Sequence, residues 1–229
     1  MPSFDYIKRN YLELTEEIEK LSHKAAGKVT LVSVTKSGSD EELLALASFG
    51  ATDIGENRPG ELNRRGELLR ANGFCPNLHE IGNLQRNKVK YIINTVSLIH
   101  SVDSAELARE IDRRAAAIGR RINVLVEINS AMEAAKGGVM PEDAFSLAEE
   151  ILGMKSLALS GVMTMGPVCE NPEDIRPYFR KTKELFDKIG ERYGYEGDGI
   201  LSMGMSDSYG VAIEEGSTLV RVGRRLFTK

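Results

Sequence analysis

The sequence predicts an α/β fold: a closed (β/α)8 barrel of the TIM type that takes up residues 1–229 as one domain. Three observations lead there. Eight short apolar runs alternate with helical segments, the pattern of a parallel sheet covered by helices. A length of 229 residues suits one barrel of about 250 residues. No linker, low-complexity tract or short-period repeat divides the chain. A doubly wound open sheet is the alternative reading of the same alternation.

An extra helix over about 4–26 precedes the first strand and is expected to pack outside the barrel. The first strand, 29–35 (VTLVSVT), runs straight into Lys36. Ser39 and Glu42 have capping-box spacing for the next helix, which Gly50 closes. The second strand is 51–57 (ATDIGEN), with a helical segment to about Ala71; the third is 77–82 (NLHEIG), followed by LQRNKVKYIINT. At 97–102 (SLIHSV) lies the fourth. Asp103 or Ser104 can cap its helix, whose apolar positions are Ala105, Ala108, Ile111, Ala115 and Ile118. The β-branched run 122–129 (INVLVEIN) is the clearest strand. Its helix has Pro141 in the first turn and Gly153 at the end. After the sixth strand, 156–165, Asn171-Pro172 opens a long helix with Ile175, Tyr178, Phe179, Leu185, Phe186 and Ile189 near helical period. Strands at 199–204 and 217–223 complete the eight.

Composition narrows the function. A net charge of −4 with interspersed signs gives no basic stripe for nucleic acid. No apolar run approaches the roughly 20 residues that span a bilayer, and the charged N-terminus has no apolar h-region of a secretory signal. Cys75 and Cys169 lie far apart and read as free thiols in a reducing cytoplasm. His23, His79 and His100 show no metal-ligand spacing. The basic clusters Arg64-Arg65 and Arg113, Arg114, Arg120 and Arg121 read as solvated helix faces.

In such a barrel the active face is built from the C-terminal strand ends. Read in order, these carry Lys36, Glu56-Asn57, Gly82, Asp103, Asn129, the run 163–165, the run 202–206, and Arg221 with Gly223. The loops after strands 7 and 8, SMGMSDS and RVGRR, occupy the usual phosphate site of the fold. Alone, Lys36 reads as a solvated lysine and SMGMS as a turn. Together, a lysine and a phosphate cradle on one face suit a phosphorylated aldehyde held as a Schiff base. Barrel closure sets strand 8 beside strand 1, so Arg221 and Lys36 fall on adjacent strands, and an inward Arg221 is a cationic neighbour or a donor to a ring nitrogen.

Six stretches in order, VSVTK, IGEN (54–57), HEIGNLQRNK (79–88), SGVMTM (160–165), LSMGMSDS (201–208) and STLVRVG (217–223), resemble the pyridoxal-5′-phosphate (PLP) homeostasis proteins, relatives of the barrel domain of alanine racemase. The resemblance covers nearly the whole chain and implies a fold of the type III PLP class. It implies that Lys36 carries PLP as an internal aldimine, and that Ser202, Ser206 and Gly223 help hold the phosphate. Arg221 would lie at the pyridine nitrogen, leaving it unprotonated and the ring a weaker electron sink. Asn57 and Met203 would line the ring pocket, with His79 and Ile81 nearby.

The chain departs from the family pattern at Ser208 and Gly210, where acids are common, and at Arg224, where Thr or Ser is usual. Lys136 and Asn129 lie at the active face, as a solvated lysine or phosphate ligand, and as an inward or loop-bonding side chain. Tyr209 reads as a packing tyrosine or a proton donor. The expected function is PLP binding for intracellular homeostasis without a dedicated reaction, with PLP-dependent apo-enzymes as recipients. The alternative is a PLP-dependent racemase-like enzyme, which needs an acid/base on each face of the cofactor. In alanine racemases a partner subunit's additional β domain supplies the second base, and this chain stops six residues after Gly223. The same feature leads to the expectation of a monomer. A Schiff-base aldolase without cofactor is a third reading, which leaves Arg221 and the phosphate loops unexplained.

Overall fold

The computed structural model describes residues 4–24, 27–133 and 136–229. Eight parallel strands close into a barrel in sequence order, with β8 hydrogen-bonded back to β1. They are β1 (Thr30–Val34), β2 (Asp53–Glu56), β3 (Asn77–Glu80), β4 (Leu98–Val102), β5 (Ile122–Glu127), β6 (Leu157–Met163), β7 (Ile200–Ser202) and β8 (Leu219–Val222). The expected closed barrel is therefore the fold, and the open sheet is not. Several strands are shorter than the apolar runs that announced them, because the run ends bend into the loops that carry polar groups.

Helices cover the outside: α1 (Asp5–Lys24), α2 (Asp40–Ser48), α3 (Pro59–Ala71), α4 (Ala105–Ala117), α5 (Ala144–Leu152), α6 (Arg176–Tyr193), α7 (Tyr209–Glu214) and α8 (Arg224–Phe227). The expected Ser39/Glu42 capping box forms at the start of α2, and Ser104 rather than Asp103 caps α4. Ile118 falls off the apolar face of α4, since the helix stops at Ala117 and Ile118 is exposed. The segment after β3 is a 3₁₀ helix, Arg86–Tyr91, whose buried Val89 and Ile92 lie three apart, one turn of that geometry. Residues 25 and 26, the expected end of the first helix, lie outside the described residues. Helix α1 buries Ile7, Leu14 and Ile18, and Arg225 and the Tyr209 hydroxyl both bond Glu17 upon it.

Strand alternation divides the core in two. Outward residues pack under the helices; inward Val32, Leu98, Leu125, Met163 and Leu219 form a separate plug in the barrel. At Gly161 the β5–β6 register slips, and a Cβ there would meet Ile200 O at 1.9 Å. Only glycine allows β6 and β7 to approach so closely.

One outward cluster positions the end of β1. Arg65 on α3 is buried, not solvated as expected: Nη1 donates to Thr35 O (2.5 Å) and Nη2 to Gly38 O (2.7 Å). Glu56 Oε1 is 3.0 Å from Arg65 Nη1 and accepts from Thr35 Oγ1 at 2.6 Å. The chain on either side of Lys36 is thus pinned from outside. Replacing Arg65 by Met strands the buried Glu56 carboxylate and two carbonyls, and is expected to lower stability by about 3–5 kcal/mol in urea unfolding. Beside it, burial pushes the Glu80 carboxyl up to about 8, with Glu56 adding to the effect. Because its folded value lies above its unfolded one, stability falls as pH rises between the two. Glu80→Gln keeps an acceptor for the Gly82 N–H and removes that titration. Its melting temperature should match the wild type near about pH 5 and exceed it near about pH 8.

Candidate functional site

Two layers of inward side chains sit above the apolar plug. Two residues along each strand return to the same face, so Ser202 follows Ile200 and Arg221 follows Leu219, while His100 follows Leu98 and Glu127 follows Leu125. His79, His100, Ser202 and Arg221 form a buried polar floor. Over it the barrel opens at the C-terminal strand ends into a cavity of about 560 Å³.

Six of the residues expected at a site line this cavity: Lys36, Asn57, Ile81, Ser206, Arg221 and Gly223. Three lie behind it. The Ser202 hydroxyl, expected at a phosphate, is engaged instead by Arg221 and His100. His79 bonds His100 and Asp53 within the floor. Met203 alternates outward and is fully buried under the helices.

Lys36 is exposed to the cavity, and none of the described residues forms an ion pair or side-chain hydrogen bond with it. Arg221 is 3% exposed. Its guanidinium donates to the Ser202 hydroxyl, to Thr164 O at 3.0 Å and to Met165 Sδ at 3.4 Å. Burial lowers Arg221 to about 10, with the Glu127 charge opposing, so it stays cationic at neutral pH. Glu127 is the opposite case. Burial, reinforced by Asp103 and opposed by Arg221, pushes its carboxyl up to about 7.

The rim loops are tied by polar contacts. Ser208 is buried and its hydroxyl accepts from the Met205 N–H at 3.2 Å, which folds the loop that presents Ser206. Arg224 bonds Asp207 at 2.6 Å, linking the loops after β7 and β8. Lys136 bonds Glu133 at 2.8 Å and Gly166 O at 3.1 Å. Asn129 bonds its own loop through Glu133. Tyr209 is outside the barrel, between Glu17 and Arg225, so it packs rather than facing the cavity. At Gly223 a Cβ would meet Val34 O at 2.9 Å, so the wall there is bare backbone.

The donor set suits an anionic ligand with an electrophilic carbon: an amine unpaired among the described residues, a buried guanidinium, a hydroxyl and a stretch of bare main chain. Among the described residues no cluster of histidine, cysteine and acid side chains can hold a metal. Sequence reasoning missed His100, Glu127 and the role of Arg65, and placed Thr164 on the active face without its bond to Arg221. Strand parity pointed His100 and Glu127 inward, but Ser202 and Arg221, which they face across the barrel, come from non-adjacent strands.

Comparison with known proteins agrees with this architecture. The profile of the family described as "Alanine racemase, N-terminal domain" matches residues 10–228. The "Pyridoxal phosphate homeostasis protein" of Aquifex aeolicus is 41% identical over 215 residues, 93% of each chain. A crystal structure of a Bifidobacterium adolescentis protein is 33% identical with a TM-score of 0.90, covering 98% of this chain and 95% of that one. PipY of Synechococcus elongatus, solved with PLP bound, shares the fold at a TM-score of 0.85 and 24% identity, over 97% of this chain and 100% of its own. The chain belongs to the alanine racemase N-terminal domain family, among its pyridoxal phosphate homeostasis proteins.

Proposed function

We propose that this protein binds PLP through Lys36 and serves intracellular PLP homeostasis, without a dedicated catalytic reaction. One observation carries the reading: Lys36, without a partner among the described residues, lines one cavity with Arg221, Ser206 and Gly223. The shared name of relatives at 30–41% identity supports it.

When bound, PLP supplies an aldehyde that an amine can capture and a ring that withdraws electrons. Lys36 Nζ would be the amine that holds the group through that carbon. Ser206 and the Gly223 main chain hold the phosphate, with Arg224 turning from Asp207 to add a charge-assisted contact. Arg221 donates to the pyridine nitrogen. A guanidinium, always charged, does not give up a proton there, so the ring stays a weak electron sink. Asn57 and Ile81 flank the ring, and Ser202, His79 and Met203 support the wall from behind. The same reading makes the protein a one-domain cytoplasmic monomer with PLP-dependent apo-enzymes as recipients. No helix among the described residues is long and apolar enough to cross a membrane.

One observation favours a racemase-like side activity. The Glu127 carboxyl faces the cavity near neutrality, as a second acid/base opposite a lysine requires.

Purified protein incubated with PLP should show an imine absorption band that Lys36→Ala lacks, and borohydride should fix the cofactor to the Lys36 peptide. If neither protein shows the band, the PLP reading fails. Amino-acid racemisation should stay at background; turnover that Glu127→Gln abolishes would establish the enzyme reading instead.

A further inference from the structure

A continuous hydrogen-bond chain crosses the barrel beneath the cavity. Asp53 Oδ1 is 3.0 Å from His79 Nε2, His79 Nδ1 is 2.9 Å from His100 Nε2, and His100 Nδ1 is 3.0 Å from Ser202 Oγ. Arg221 Nη1 donates to the same hydroxyl. Five strands contribute one residue each: β2, β3, β4, β7 and β8. His79, His100, Ser202 and Arg221 are at most 4% exposed.

The two ends fix the direction of the outer bonds. Arg221 has no acceptor, so Ser202 Oγ accepts from it, and keeps one proton and one lone pair with which to meet His100 Nδ1. At the far end burial would raise the Asp53 carboxyl, but bonds from His79, Thr52 and Asn77 outweigh it and hold the group below its usual range. An ionised Asp53 only accepts, so His79 carries its proton on Nε2. Burial, with the charge of Arg221 adding to it, holds His100 neutral. With His79 also neutral, its proton is on Nε2 and His100 Nε2–H donates to a bare His79 Nδ1; an imidazolium at His79 would turn the two inner bonds round. The chain reads Arg221→Ser202→His100→His79→Asp53.

We infer that the chain runs in this direction and that Asp53, His79, His100 and Ser202 are positioning residues: each bond polarises the next, from a cation at the cavity floor to a carboxylate near the N-terminal barrel end, and the chain sets the orientation of Arg221 and aims its remaining N–H groups at the ligand. Contact with the pyridine ring rests on the cofactor reading above; the chain does not.

The test is ¹⁵N NMR of histidine-labelled protein without PLP. In the wild type both rings should be neutral with the proton on Nε2. An imidazolium at His79, or an Nδ1–H on either buried ring, overturns the chain. Ser202→Ala removes the donor to His100 Nδ1. The His100 proton should then redistribute between its nitrogens, and the His79 signal should follow although two links away; Ser202→Thr should restore both. A His79 tautomer indifferent to Ser202→Ala overturns the one-way coupling. With PLP added, Ser202→Ala should bind about tenfold more weakly or worse, the worth of one charge-assisted bond. Unchanged affinity in a variant whose tautomers have moved overturns the positioning role. Absence of an imine band in the wild type overturns the cofactor reading and leaves the chain standing.

Discussion

Arg221 is a permanent cation inside a barrel, and the arrangement of the site follows from keeping it there. An ion of that size loses several kcal/mol when taken from water into a protein interior, unless fixed dipoles and opposite charge replace the water. Here the replacements come from around the barrel wall. Ser202 on β7 and Thr164 O just beyond β6 accept from it, and Glu127 on β5 supplies opposing charge. Through two histidines it is linked to the Asp53 carboxylate. Shift one strand by a single residue and its side chains exchange faces; the guanidinium would then be stranded. The polar floor therefore depends on the barrel register as strongly as the apolar plug below it does.

A second buried guanidinium performs the matching task outside the barrel. Arg65 takes the carbonyls of Thr35 and Gly38, and Glu56 balances its charge. Lys36 lies between those two carbonyls in sequence, so its backbone is held while its side chain has no partner among the described residues. Neighbouring Glu80 has one oxygen without a hydrogen bond and a carboxyl raised by burial, a destabilising feature tolerated beside the clamp. Outer arginine and inner arginine thus hold two sides of one corner, where β1 meets β8.

How much of this the sequence shows depends on the range of the interaction. The capping box of α2, the strand runs and the helical stripe of α6 are local patterns: the box stands where it was expected, the strands form within their runs, and the long helix begins at Arg176, after a 3₁₀ turn, Pro172–Ile175, where Asn171-Pro172 was expected to open it. The outward turn of Met203 is also local, since it alternates with Ser202, yet its place in a conserved-looking loop motif obscured that parity. His79 and His100 are harder. They meet because β3 and β4 are parallel neighbours with His79 opposite Leu98, and the length of the intervening chain does not specify that register. Arg65 is hardest, since nothing in RR distinguishes the exposed Arg64, paired with Asp40 and Glu61, from its buried neighbour. Only the packing angle of α3 separates them.

Floor and rim differ in kind. The floor is a buried network in which removing one member leaves another polar group unsatisfied, so its members are coupled. The rim is joined by exposed pairs such as Arg224–Asp207, at 74% and 70% side-chain exposure, and pairs of that class contribute about 0–1 kcal/mol each. Around them Met132, Met165 and Val168 stand exposed, with Val168 at 95%. A ligand anchored at the floor meets fixed geometry; one entering or leaving crosses loops whose ties exchange readily with water. The proposed role of holding PLP and passing it on suits that division, because the strength of holding and the ease of passage are then set by different residues.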